Sequence, residues 1–147
     1  MEKKEFKKVL QSVLEKYEFK YYSKEKTYYC FKEGLIAAVD TQKSNFGDYY
    51  YLNYGFRIDN PDNTTKFPKV YNGCDVMLRF VLNFPEGPKA EIDLNTLDTE
   101  AFSGLIDLFI EKEIQPVISK GISELLIINP DAAKCFTLRG KKLLGLA

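Results

Sequence analysis

Between Thr27 and Asp59 the chain reads TYYCFKEGLIAAVDTQKSNFGDYYYLNYGFRID, three runs of aromatic, β-branched and small residues separated by turn-forming segments. No other stretch restricts the fold as tightly. Alternation with a period of two sends successive side chains to opposite faces of a strand, and short strands joined by tight turns pair antiparallel. The spacing predicts a strand over 27–32, a reversal at Glu33-Gly34, a second strand from 35 to about 42, a loop over 43–48 and a third strand over 49–59. In the second, Leu35, Ala37 and Val39 share one face, while Ile36, Ala38, Asp40 and Gln42 share the other. Its alanines leave room for something to pack closely above it. In the third, Tyr50, Leu52, Tyr54, Phe56 and Ile58 form a dry face, and Tyr49, Tyr51, Asn53, Gly55 and Arg57 form a wet one.

A sheet with one dry face needs a cover. Phe6, Val9, Leu10, Val13, Leu14 and Tyr17 recur at spacings of three and four among Lys, Glu and Gln, which predicts an amphipathic helix at the N-terminus. Residues 76–84 alternate again, as one further strand with Val76, Leu78, Phe80 and Leu82 inward, closed by Pro85-Glu86-Gly87-Pro88. Residues 90–94 are either a short strand or a lead-in. A second helix starts after Asp98 as N-cap, carries Phe102, Leu105, Ile106, Phe109 and Glu113 along one side, and is kinked or ended near Ile114 by Pro116. A short helix with Asn129 as its cap follows. The fold class is α+β: an antiparallel sheet of four or five strands, covered on one face by the N-terminal helix and a C-terminal helical segment, in a single domain over 1–147.

Several chemistries are made improbable by composition. The chain has no histidine, which removes imidazole acid–base catalysis and the commonest metal ligand. Its 21 basic and 21 acidic side chains balance, whereas nucleic-acid binding relies on a basic surplus. Cys30, Cys74 and Cys135 are odd in number and form no CxxC pair, as free thiols do in a reducing compartment. The charged start MEKKEFKK leads into no apolar signal core, and no apolar run approaches the ~20 residues of a membrane span. A cytoplasmic chain without metal, cofactor, membrane or nucleic-acid partner is the expectation.

The side chains left over lie on the less apolar sheet face: Asp40, Gln42, Tyr49, Tyr51, Asn53, Arg57 and Arg79. Tyrosine couples a broad ring to a hydroxyl and arginine offers a forked donor, the residue types that dominate protein interfaces. A half-buried sheet face with no partner produces the same pattern. A catalytic alternative needs two carboxylates, among Asp40, Asp59 and Asp75, to converge beside Arg57 or Arg79.

Tyr17-Glu18-Phe19-Lys20, Thr27-Tyr28-Tyr29, Thr41-Gln42-Lys43-Ser44 and Tyr51-Leu52-Asn53-Tyr54-Gly55 together resemble the bacterial family of unknown function DUF4304. The likeness is clearest from about residue 5 to 60, with Glu18 where that family has a glycine before the phenylalanine. The family has no assigned activity. What the resemblance implies is a compact protein-binding domain, of the kind suggested for toxin immunity, and it directs attention to Gln42, Ser44, Tyr51 and Asn53. A protein-interaction module is therefore the leading expectation, and the alternative is a small enzyme or ligand-binding domain with its site between the sheet and residues 60–75.

Overall fold

The computed structural model describes residues 1–60 and 65–147. Strands β2 (Thr27–Lys32), β3 (Leu35–Lys43) and β4 (Tyr49–Ile58) form the antiparallel centre of the sheet. Gly34 turns the first corner at φ 80°, a left-handed conformation that a residue without Cβ adopts freely. The register between β3 and β4 runs unbroken from Leu35 opposite Ile58 to Lys43 opposite Tyr50, so the two alternations predicted separately share their faces.

Three short strands extend this sheet and bring its count, among the described residues, to six. Strand β1 (Lys20–Tyr22) pairs with β2, and β5 (Val76–Arg79) pairs with the far half of β4. Strand β8 (Ile92–Asp93) pairs with Tyr49 and Tyr50 at the start of β4, which resolves 90–94 as containing a strand. Three residues are too few for periodicity to reveal β1, whose Tyr21 ring lies 4.7 Å from that of Tyr28. The single strand expected over 76–84 is divided. After Phe80 the chain leaves the sheet, and β6 (Leu82–Phe84) pairs with β7 (Gly87–Lys89) in a hairpin of its own. Phe80 and Leu82 are still fully buried: alternation reports which way side chains face, not which strand they pair with.

Helix α1 (Lys3–Lys16) and helix α3 (Thr99–Phe109) cover the dry face. Phe6 sits between them and the sheet, its ring 4.9 Å from Tyr50 and 5.0 Å from Phe102. Helix α1 closes with a Schellman motif. The Phe19 amide donates to the Leu14 carbonyl and the Glu18 amide to that of Glu15, which holds Glu18 at φ 68°. A left-handed C-terminal cap is where glycine is favoured, and Glu18 occupies it at a steric cost.

Helix α3 begins as expected, with the Asp98 side chain accepting from the Ala101 amide at 2.7 Å. Pro116 does not end it. A π-helical turn (Ile110–Ile114) absorbs the missing donor, the Gln115 amide donates back to Ile110, and the chain continues as α4 (Gln115–Lys120) to Gly121. Helix α5 (Ser123–Ile128), a 3₁₀ turn (Pro130–Cys135) and α6 (Leu138–Leu143) follow. Asn129 precedes the 3₁₀ turn without capping it through its side chain, whereas Thr137 caps α6 by accepting from Gly140 at 3.1 Å.

The second sheet face needs a correction. It is not wet throughout: over half its length Tyr29, Ile36 and Ala38 are buried with Val70 and Cys74 in a smaller core. The small residues of β3 and Gly55 allow this approach. A Cβ on Gly55 would lie 2.7 Å from the Val76 carbonyl oxygen and 2.9 Å from Cys74 Sγ. The one-turn segment α2 (Val70–Gly73) is the cover. Beside it Asp75, 1% exposed, accepts from the Ile58 amide at 2.7 Å and from Arg139 Nη1 at 2.6 Å. Arg139 Nη2 also donates to the Ile58 carbonyl at 3.0 Å, so one buried carboxylate ties α6 to the sheet.

Candidate functional site

Beyond the smaller core the second face stays open, and there the register lines up three polar side chains. Asp40 on β3 lies opposite Asn53 on β4, which lies opposite Arg79 on β5. One step along, Gln42 is opposite Tyr51. Asn53 is buried and joins the row: its Nδ2 donates to Asp40 Oδ1 and to Gln42 Oε1, both at 3.1 Å, and its Oδ1 accepts from Arg79 Nε at 3.0 Å. Arg79 Nη2 donates to Gln42 Oε1 at 3.0 Å, and the guanidinium carbon lies 4.1 Å from the centre of the Tyr51 ring. The arginine is thus fixed by two amide oxygens and an aromatic face. Among the described residues no carboxylate lies within ion-pair distance of it.

Asp40, Thr41, Gln42, Asn53, Met77 and Arg79, with Tyr71 from α2, line an open cleft of about 490 Å³. Burial raises the Asp40 carboxyl above its ordinary range, opposed by the hydrogen bond from Asn53 and by the charges of Lys69 and Arg79. Tyr71, Met77 and Tyr49 add exposed apolar surface.

Of the residues singled out in the sequence, Asp40, Gln42, Tyr51, Asn53 and Arg79 come together in this cluster. Tyr49 lies further along β4 on the same face, opposite Asp93 and partly exposed. Arg57 is half-buried with its Nη1 donating to the Gly73 carbonyl at 2.7 Å, which makes it a clamp on α2. Ser44 is buried in the β3–β4 turn, where its amide donates to the Tyr49 carbonyl and its Oγ accepts from the Phe46 amide. Asp40, Asp59 and Asp75 do not form one site. Asp75 belongs to the Arg139 network, and Asp40 faces the open cleft.

Residues 10–120 match the family described as Domain of unknown function (DUF4304). The chain belongs to that family. No curated protein and no solved structure matches it. The DUF4304 segment contains the whole Asp40–Asn53–Arg79 row and its Gln42 and Tyr51 flank, whereas Arg139 lies beyond it.

Two further concavities border the DUF4304 sheet. One, about 360 Å³, has Tyr54 and Phe109 among its apolar walls and Lys112 and Glu113 from the π-helical turn. Burial raises the Glu113 carboxyl, with Lys112 opposing the shift. The sequence did carry a sign of this residue, a carboxylate on the apolar side of a helix. The other, about 420 Å³, lies between the sheet and residues 65–67 and is lined by Tyr22, Phe31 and Phe67 with Asp59 and Lys66; residues 61–64 of the loop expected over 60–75 lie outside the described residues. Cys30 and Cys74 are buried and Cys135 is exposed; burial pushes the Cys74 thiol up to about 12, which leaves it protonated and inert near neutrality. Among the described residues no helix is long and apolar enough to cross a membrane, and no cluster of three His, Cys, Asp or Glu side chains forms a metal site.

Proposed function

We propose that this DUF4304 chain is a non-enzymatic protein-interaction module that binds through the open half of its second sheet face. The observation that carries the reading is the Arg79 guanidinium, held by Gln42 and Asn53 and laid on Tyr51 at 4.1 Å without a carboxylate partner among the described residues. An arginine ordered before binding loses little side-chain entropy on docking, and Arg and Tyr contribute disproportionately to interface affinity. The cleft around it is broad and open, as suits a protein surface. General acid–base work by paired carboxylates needs a second acid beside Asp40, and among the described residues Asp40 is the sole carboxylate lining the cleft. The alternative of a small-molecule site draws on the ring-lined cleft beside residues 65–67.

Capture from the native host with the wild-type chain, Tyr51→Ala, Arg79→Gln and a Lys112→Gln control tests the proposal. A partner retained by the wild type and by Lys112→Gln but lost from the two face variants supports it. Equal recovery by all four chains contradicts it.

A further inference from the structure

We infer that the group this face receives is a carboxylate side chain, an Asp or Glu of the partner, seated end-on against Arg79 and flanked by an apolar neighbour on Met77 and Tyr71. The inference rests on the proposal that this face is an interaction surface, and adds the partner's chemistry to it.

The argument starts from the donors of the guanidinium. Arginine has five N–H groups in a planar fork. The edge formed by Nε and Nη2 is engaged, through Nε to Asn53 Oδ1 and Nη2 to Gln42 Oε1, each at 3.0 Å. The end-on edge, formed by Nη1 and the outer hydrogen of Nη2, has no acceptor among the described residues. Its two parallel donors match the two oxygens of a carboxylate. Asn53 is itself held by Asp40 and Gln42, so the fork cannot swing to another acceptor without breaking the row.

The number of donors selects the kind of anion. The open edge of Arg79 offers two parallel donors, which a carboxylate satisfies, whereas a phosphate would meet a single guanidinium where it ordinarily needs several donors. The surroundings point to a protein source for the carboxylate. Tyr71 is 69% exposed and Met77 38%, so a side chain next to the partner's acid would cover apolar surface already bordering the fork.

The test uses the whole ¹⁵N-labelled chain and follows the Arg79 Nε–H and the side-chain amides of Asn53 and Gln42. The probe is N-acetylglutamate N-methylamide, with N-acetylglutamine N-methylamide and inorganic phosphate as comparison arms. The expected result is a saturable shift of all three signals with the glutamate probe at millimolar concentration, at least tenfold weaker with the glutamine probe. Arg79→Lys should weaken it several-fold, since an ammonium offers no planar fork. Tyr71→Ala should leave the amide signals dispersed while weakening the response, a check independent of the row itself. No saturable shift, an equal response to the glutamine probe, or a stronger response to phosphate would overturn the inference. If host capture depends on Tyr51 and Arg79 while the glutamate probe gives no shift, the carboxylate assignment alone falls. If capture ignores both residues, the interaction surface falls with it.

Discussion

Glu18→Gly should stabilise the protein. Glu18 is held at φ 68° by the Schellman bonds that end α1, and a left-handed residue carrying a Cβ costs about 1–2 kcal/mol. Glycine removes that strain but is freer in the unfolded chain, which returns about 0.4–1 kcal/mol of the gain. The ion pair from Lys32 to Glu18 is solvent-exposed and screened, so its loss changes little. The net expectation is about 0.5–1 kcal/mol of added stability, or roughly 2 °C in Tm for a chain of this length. Urea unfolding of wild type, Glu18→Gly and Glu18→Gln decides the matter. Glutamine removes the ion pair and keeps the Cβ, so it should sit close to wild type while glycine rises above both. A glycine variant no more stable than the glutamine one would refute the backbone argument.

Gly55→Ala should destabilise by about 1–3 kcal/mol in the same assay, because its Cβ would enter the space of Cys74 and of the Val76 carbonyl. Asp75→Ala should cost about 3 kcal/mol, the low end for breaking a buried ion pair, since Arg139 keeps 32% of its side chain in solvent; a loss under about 1 kcal/mol would show that α6 is held by packing alone. Asp40→Asn should stabilise at neutral pH and lose that advantage on acidification. The folded-state pKa of Asp40 is raised, so wild type carries a charge penalty above it that vanishes as pH falls toward the ordinary value of 3.8; an advantage independent of pH from 3 to 7 would contradict this.

Much of the sheet was legible because faces follow from alternation alone. Leu35, Ala37 and Val39 separate from Ile36 and Ala38 into the two cores as their parity requires. Pairing was less legible. Leu82 keeps the inward alternation after the chain has left the sheet, and β1 is shorter than the window that period-two reasoning needs. The cover on the second face was hidden for a different reason. Val70 and Cys74 lie in a stretch with no periodicity, and only the alanines of β3 signalled that something would approach. At the candidate site, residue type found Gln42, Tyr51, Asn53 and Arg79, while cross-strand register made them neighbours. Ser44 and Arg57 share that polarity but spend their hydrogen bonds on a turn and on α2, a division no spacing could disclose.

Hydrogen-exchange and hydroxyl-radical footprinting of the chain bound to its captured partner tests the central claim most directly. The account predicts protection centred on Asp40–Gln42, Tyr51–Asn53 and Met77–Arg79, with Tyr71 shielded from oxidation. Protection confined to the outer surfaces of α1 and α3, with Tyr71 and Met77 as reactive as in the free chain, would contradict it.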